Sequence, residues 1–528
     1  MSGRRVMMAL VVMLAGCTAA EGTAVGVELY AADGVMHEGV LAGPADTLEL
    51  VLEGGGERFV EEFDLAAGRG TVTSAPVGSG YQFTARGFLG SESTVLFYGA
   101  SQPFDVAAGD DVTVPVMVGR AGCVGLNKMA ASRDRGLGGT ADLQDRRVGA
   151  SVTRLADGRV LVLGGAEVDA MGRPERILDT AEVFDPVSSQ MVKLPWRLVV
   201  PRAFHSATLL PDGQVLVVGG VIAPGSPLTV TETAALVDVD SVEGNRPLPV
   251  GLPVDPRAWH EALLLPDGSV LIAGGERGDG TPLASAARFL APPGSDPIEG
   301  RFRLQGPMHA ARSRFTMTAV ARASDPAVLA GGLGAAGPEA GVEVFSVNPA
   351  QSGCAGGGMP TDGVGCFVVP NRVTLPEARW GHVAVPVAGG VLFAGGYGSV
   401  DRGAPVGSVV RLDTSAFTIG EVGRLGTPRG ELAAAAVDEG DAQTVLLVGG
   451  RVGASPVRAT SRLVPMTDGS WSDEAVPENC ELSEARFGLR AVTLDNRTVL
   501  LLGGANESPA GQVGSRRVEV FFPRVNVF

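Results

Sequence analysis

Five histidines, His37, His205, His260, His309 and His382, are the residues of this chain best suited to hold a metal or to move protons near neutral pH. Three share one setting. Arg202-Ala203-Phe204-His205, Arg257-Ala258-Trp259-His260 and Arg379-Trp380-Gly381-His382 each place His three residues after an arginine. A ring of equivalent imidazoles could bind a metal. Recurrence argues against it, because a packing role repeats with its structural unit while a catalytic site is asymmetric. Framework hydrogen bonding is therefore expected of these histidines, and no metal or other cofactor. The arginine recurs seven times, as Arg147, Arg202, Arg257, Arg312, Arg379, Arg429 and Arg486. Seven guanidinium groups could line an anion-binding annulus. The stronger reading has each tie the start of a strand to carbonyls near a glycine doublet. No GxSxG, HExxH, P-loop or EF-hand signature occurs.

The elements that carry these residues are repeats. An apolar run ending in Gly-Gly occurs at Gly164-Gly165, Gly219-Gly220, Gly274-Gly275, Gly331-Gly332, Gly395-Gly396, Gly449-Gly450 and Gly503-Gly504, each 16–20 residues after its arginine. The intervals are 55, 55, 57, 64, 54 and 54 residues. Between arginine and doublet lies a hairpin, turned at Asp157-Gly158, Asp212-Gly213 and Asp267-Gly268 in the first three copies. A third strand such as Ala181–Pro186 and a fourth such as Met191–Leu194 follow. Four antiparallel strands per repeat, seven times over, describe the blades of a propeller. One four-stranded sheet cannot bury both its faces, but seven packed radially can. The doublets suit places where backbones crowd and positive φ is needed. The last copy ends soon after its third strand, so Cys123–Met129 is expected to supply the missing fourth.

Residues 25–120 differ. Val27–Tyr30, Thr47–Leu52 and Val112–Val116 read as strands broken by Gly-rich turns, and Glu57–Ala67 as strand or short helix. About seven short strands suggest a small β-sandwich of immunoglobulin-like or carboxypeptidase-regulatory-like type. Over residues 21–120, 15 acidic against 4 basic side chains leave −11 of the chain's −16. The fold class expected is thus all-β, a seven-bladed propeller over 121–528 preceded by this acidic domain.

The apolar run with Gly-Gly resembles the kelch repeat. The resemblance covers residues 121–528, and the family's aromatic after the doublet survives only at Gly396-Tyr397. That departure is closer to bacterial kelch-type and galactose-oxidase-like propellers. Galactose-oxidase-like enzymes use two Tyr, two His and a Tyr-linked Cys for copper radical chemistry. This propeller holds one tyrosine, Tyr397, which argues against that enzyme. Asp468-Gly469-Ser470-Trp471 only faintly matches the aspartate box of sialidases. Arg277-Gly278-Asp279 spells an integrin-binding tripeptide too short to carry weight. In a propeller, the loops after the doublets and before the arginines share a face. It would display Asp169, Arg176, Glu276, Arg277, Asp279, Tyr397, Asp401, Arg402 and Arg451, and functional residues gather on such loops.

The first residues read as an address. Arg4-Arg5 precede the apolar run Val6–Ala15, too short to span a bilayer, and Leu14-Ala15-Gly16-Cys17 resembles a lipobox. Residues 1–17 are thus expected to be a lipoprotein signal with Cys17 as lipid anchor, and 18–24 a tether. Four cysteines remain: Cys123, Cys354, Cys366 and Cys480. They allow three pairings, of which Cys354–Cys366 with Cys123–Cys480 is favoured. With a net charge of −16, a nucleic-acid partner is excluded. The expectation is an exported protein, lipid-anchored to a bacterial envelope, whose loop face binds protein or glycan without catalysis. The alternative is a polysaccharide-active hydrolase or oxidase with its site at the propeller mouth.

Overall fold

The computed structural model describes residues 24–31, 36–37, 40–41, 47–54, 57–64, 77–88, 95–107, 111–126 and 141–524, the last range interrupted at 170, 242–244, 249–254, 291–300, 323, 348–352, 355–363, 440–441 and 509–510. The chain is all-β. Apart from two 3-10 turns at Pro370–Arg372 and Glu478–Cys480, its named elements are strands.

Each repeat forms one antiparallel four-stranded sheet. In the first, Ser151–Arg154, Val160–Leu163, Thr180–Asp185 and Gln190–Arg197 lie side by side in that order. Sheets two to six repeat the plan, opening with the first strands Ser206–Leu209, Glu261–Leu264, Thr316–Ala319, Val383–Val387 and Ala433–Asp438. The seventh opens with Arg490–Thr493, continues through Val499–Leu502 and Val518–Phe522, and takes Cys123–Leu126 as its fourth strand. Cys123 is disulfide-bonded to Cys480 and Cys354 to Cys366. The first bond fastens that borrowed strand to the loop before Arg486.

The second strand of each sheet carries an apolar run because both its faces are covered there. Successive side chains of a strand point to opposite faces. Leu161 and Leu163 pack with Val215 and Val217 of sheet two, while Val160 and Val162 pack with Leu500 and Leu502 of sheet seven. Comparable cores join sheets two to three, three to four, four to five, five to six and six to seven.

The glycine doublet is the joint between sheets. Both glycines have positive φ in all seven copies, 56–68° for the first and 89–105° for the second. The second donates its amide to the carbonyl of the next sheet's repeat arginine: Gly165 to Arg202, Gly220 to Arg257, Gly275 to Arg312, Gly332 to Arg379, Gly396 to Arg429 and Gly450 to Arg486, at 2.8–2.9 Å. In the first six doublets the first glycine has no room for a side chain; a Cβ on Gly164 would lie 2.2 Å from the Arg202 carbonyl oxygen. The seventh doublet faces the first sheet, where a Cβ on Gly503 would sit 3.7 Å from that of Arg147.

The seven arginine side chains are at most 2% exposed. Each guanidinium donates to the carbonyl of the first glycine in its own sheet: Gly164, Gly219, Gly274, Gly331, Gly395, Gly449 and Gly503. Arg147, Arg312 and Arg486 also pair with the buried carboxylates of Glu182, Glu343 and Glu519. Arg202, Arg257, Arg379 and Arg429 meet hydroxyls of Thr233, Ser285, Ser408 and Ser461 instead. Without a carboxylate so close, burial pulls Arg202, Arg257 and Arg379 down to about 10.

The N-terminal strands hydrogen-bond into one seven-stranded sheet. Its order is Ala24–Ala31, Asp111–Arg120, Phe97–Ala100, Gly78–Phe88, Thr47–Gly54 and Glu57–Asp64, with Phe104–Val106 beside Gly78–Phe88. Ala24–Ala31 runs parallel to Asp111–Arg120. The ambiguous stretch after Glu57 is strand over Glu57–Asp64. This sheet shares a core with sheets one and seven, and Asn496 in the seventh sheet's hairpin turn donates to the carbonyl of Ala100 at 3.1 Å.

Removing one member of a buried arginine–glutamate pair strands the other. Arg312→Met is expected to destabilise by about 3–5 kcal/mol in denaturant titrations. Arg312→Met with Glu343→Leu should recover part of that loss. A single variant as stable as the wild type would contradict the role given to the pair.

Candidate active site

Consecutive first strands pack side by side from the first sheet to the seventh. Each is entered through the residue two places after the repeat arginine, and that residue has left-handed φ in every copy: Gly149 67°, Phe204 56°, Trp259 50°, Arg314 53°, Gly381 62°, Glu431 54° and Gly488 61°. For bulky residues this conformation is an outlier, and such strain gathers at functional sites. A belt of hydrogen bonds holds it. The amides of Phe204, Trp259, Arg314, Gly381, Glu431 and Gly488 donate to the preceding sheet's carbonyls at Gly149, Phe204, Trp259, Arg314, Gly381 and Glu431, over 2.7–3.4 Å.

At this belt, aromatic rings and arginines alternate. Phe204 and Trp259 stack with centroids 4.5 Å apart. Arg314 lies 4.4 Å over Trp259 and 6.0 Å from Trp380. Arg402 lies 5.0 Å from Trp380, and Arg451 4.0 Å from Phe487. Two carboxylates stand among them. Glu276 accepts from Ser313 Oγ at 2.6 Å and Arg314 at 3.0 Å. Glu431 accepts two bonds from Arg402, at 3.0 and 3.1 Å, and lies 3.8 Å from Arg451. Beside Ser313 the surface opens into a cavity of about 290 Å³, lined also by Asp279, Thr281, Pro282, Leu333 and Gly334. Stacking faces, forked donors and carboxylates in one place suit a polyhydroxylated ligand and acid–base chemistry.

Of the loop residues singled out from sequence, Glu276, Tyr397, Arg402 and Arg451 belong to this constellation. Tyr397 is buried against Trp380, its hydroxyl donates to the Arg451 carbonyl at 3.1 Å, and burial raises its pKa so that it stays protonated. The others serve their own loops. Asp169 accepts from the amides of Met171 and Arg173, Asp279 from Thr281, and Asp401 from Ser399 Oγ and Gly403. Arg176 pairs with Glu167, and Arg277 with Asp255. Cys17 and the signal segment lie outside the described residues, as does the side chain of His37. Sequence reasoning did not select Phe204, Trp259, Arg314, Trp380, Glu431 or Phe487. The signal was present: all follow a repeat arginine by one or two positions.

The recurrent histidines sit one step further in. His205 Nε2 pairs with Ser151 Oγ at 2.9 Å, His260 with Ser206 at 2.8 Å and His382 with Thr316 Oγ1 at 3.0 Å, each across a joint between sheets. Burial drives His205 well below its usual range and His260 and His382 to about 3, so all three are neutral. The residue opening the third first strand breaks the pattern. It is Glu261, and burial raises its carboxyl to about 7 although the charge of Arg490 opposes the shift.

No family model and no curated protein matches the chain. Among solved structures it is similar to a fungal copper-bound alcohol oxidase of the AA5 family, with 14% identity, a TM-score of 0.52, and coverage of 73% of this chain and 76% of the other. The likeness places the chain in a galactose-oxidase-like β fold. It also corrects the expectation of a non-enzymatic binding scaffold, because this fold houses an oxidase and the enzyme alternative fits it better. The neighbour's copper does not fit the donors present. Among the described residues no three His, Cys, Asp or Glu gather to hold a metal. The recurrent histidines are engaged one per joint, Tyr397 is bonded to backbone, and Cys123, Cys354, Cys366 and Cys480 form disulfides.

The raised pKa of Glu261 has a definite sign. The folded chain holds this proton more tightly than the unfolded one, so folding stability falls as pH rises from the ordinary carboxylate range through about 7. Glu261→Gln removes that loss. Its melting temperature relative to wild type is expected to rise between about pH 5 and about pH 8. A difference independent of pH would refute the burial argument.

Proposed function

We propose that this chain is a polysaccharide-active enzyme, exported and lipid-anchored through Cys17 to a bacterial cell envelope. Its seven sheets are read as blades of a kelch-type propeller, preceded by an acidic domain whose strands join in one seven-stranded sheet in place of the expected two-sheet sandwich. The unbroken order of joints, the core shared by sheets seven and one, and the borrowed fourth strand support that architecture.

The observation that carries the function is the constellation of Trp259, Arg314, Glu276, Trp380, Arg402 and Glu431 at the belt, on a galactose-oxidase-like fold. Trp380 is buried and backs the belt, while the partly exposed Phe204 and Trp259 supply aromatic surface for a sugar ring and guanidinium groups fork onto ring hydroxyls or carboxylates. Glu276 and Glu431, from sheets three and six, are the carboxylates of the belt, and hydrolysis of a glycosidic bond uses a carboxylate pair. Hydrolysis is therefore the first reading. Oxidation of a sugar alcohol is the second, favoured by the likeness to an alcohol oxidase.

Incubating the detergent-extracted full chain with neutral and acidic polysaccharides, with and without added copper, separates the two. New reducing ends, lost in Glu431→Gln, are expected for hydrolysis, and hydrogen peroxide for oxidation. Neither product from any polysaccharide would overturn the enzyme reading. Metabolic labelling with palmitate should mark the wild type and not Cys17→Ala. Equal labelling of the two would refute the anchor.

A further inference from the structure

The cavity of about 290 Å³ lies where loops of sheets three and four meet. One wall, with Asp279, Thr281 and Pro282, comes from the loop after the third doublet. The other, with Leu333 and Ala335, comes from the loop after the fourth, and Ser313 completes the lining. Both walls are pinned by backbone. Pro282 bridges to Glu276 and Leu333 to Ser313, and the amides of Arg277 and Gly280 close a turn on the carbonyls of Thr281 and Arg277 at 2.9 Å. The space is therefore formed before a ligand arrives, as small-molecule sites mostly are. Ser313 ties the cavity to the belt. Its Oγ donates to Glu276 at 2.6 Å, and Arg314 donates to the same carboxylate at 3.0 Å while lying 4.4 Å over Trp259. This link belongs to one joint. Ser313 is the one Ser or Thr among the seven residues that follow a repeat arginine, and Glu276 the one acidic residue among the seven that follow a doublet. The repeating framework therefore does not require the pair.

We propose that this cavity seats one uncharged sugar ring of the polysaccharide, next to Glu276. This deepens the polysaccharide reading and rests on it. The volume stands at the lower end of the about 300–1,000 Å³ of small-molecule sites, room for one ring and not for a chain. The lining is mixed as a sugar needs. Pro282 and Leu333 offer apolar surface to ring C–H groups, and Asp279, Thr281 and Ser313 bring polar groups to hydroxyls. Asp279 is an acceptor held in place, its Oδ1 taking the Thr281 amide at 2.9 Å. Hydrogen bonds from Thr281 keep this carboxyl below its usual range, so it is ionised. A carboxylate accepts from neighbouring ring hydroxyls and repels an anionic substituent. Among the described residues no Arg, Lys or His lines the cavity, and Arg314 is already paired with Glu276. Neutral rings are thus favoured over uronates.

The test is saturation-transfer NMR on the full chain with glucose, galactose, mannose and glucuronate. Saturable binding of at least one of the three neutral hexoses is expected, with glucuronate weaker. Ala335→Trp, at an exposed position of the lining, fills the cavity and should abolish the hexose signal. Asp279→Ala, also at an exposed position, should weaken binding at least about tenfold. Absence of binding by all three hexoses overturns the proposal, as does glucuronate bound as tightly as the best of them. Hexose binding untouched by Ala335→Trp in a variant that melts like the wild type overturns it too. Should Ala335→Trp melt early, Asp279→Ala decides by the same criterion. Turnover of polysaccharide that Ala335→Trp leaves unchanged, with no hexose bound, would sink this site and leave the enzyme reading standing. Hexose binding lost in Ala335→Trp, with no polysaccharide turned over by the wild type, would do the reverse.

Discussion

One backbone hydrogen bond organises the molecule. The second glycine of the first six doublets donates its amide to the carbonyl of the next sheet's repeat arginine. Meanwhile the arginine side chain grips the carbonyl of the first glycine in its own sheet. Residue and joint are thus locked twice, once within a sheet and once across. The geometry demands positive φ at two consecutive positions and, in the first six copies, leaves the first glycine no space for a Cβ. Only Gly-Gly meets both demands. Burying seven guanidinium groups carries a desolvation cost, which three copies offset with a carboxylate and the other four with carbonyls and hydroxyls.

Because that lock sits at fixed positions, neighbouring positions are free to differ. The residue after the arginine, the one after that and the one opening the first strand each recur in a column. In these columns the chain places Trp380, Phe204, Trp259, Arg314, Glu431, Glu261 and Arg490. Symmetry of the framework and asymmetry of the site are therefore compatible. The histidines belong to the framework, since each is neutral and paired across a joint.

Much of the framework was legible in the sequence because it is local and periodic. The doublets, the Asp-Gly turns and the apolar second strands can be read within one repeat. The strand at Cys123 was readable for the complementary reason, that the seventh repeat lacked its fourth. Other features were not legible. Glu57–Asp64 alternates charge and aromatic residues in a way compatible with either period, and pairing with Thr47–Gly54 decides it. The parallel pairing of Ala24–Ala31 with Asp111–Arg120 joins segments some 80 residues apart, which no local signal marks. The belt was missed because its residues come from different repeats and differ in type. Reading repeats for what they share hides what they vary. The non-enzymatic reading followed from the same habit: with the histidines assigned to packing, no reactive residue remained in view.

Six joints of one kind link sheets one to seven in order, and the propeller proposed above requires a seventh of the same kind between sheets seven and one. An experimental crystal structure of the full chain tests it most directly. The account predicts the Gly504 amide against the Arg147 carbonyl, completing the series begun at Gly165 and Arg202. A gap or an additional element between sheets seven and one would contradict it.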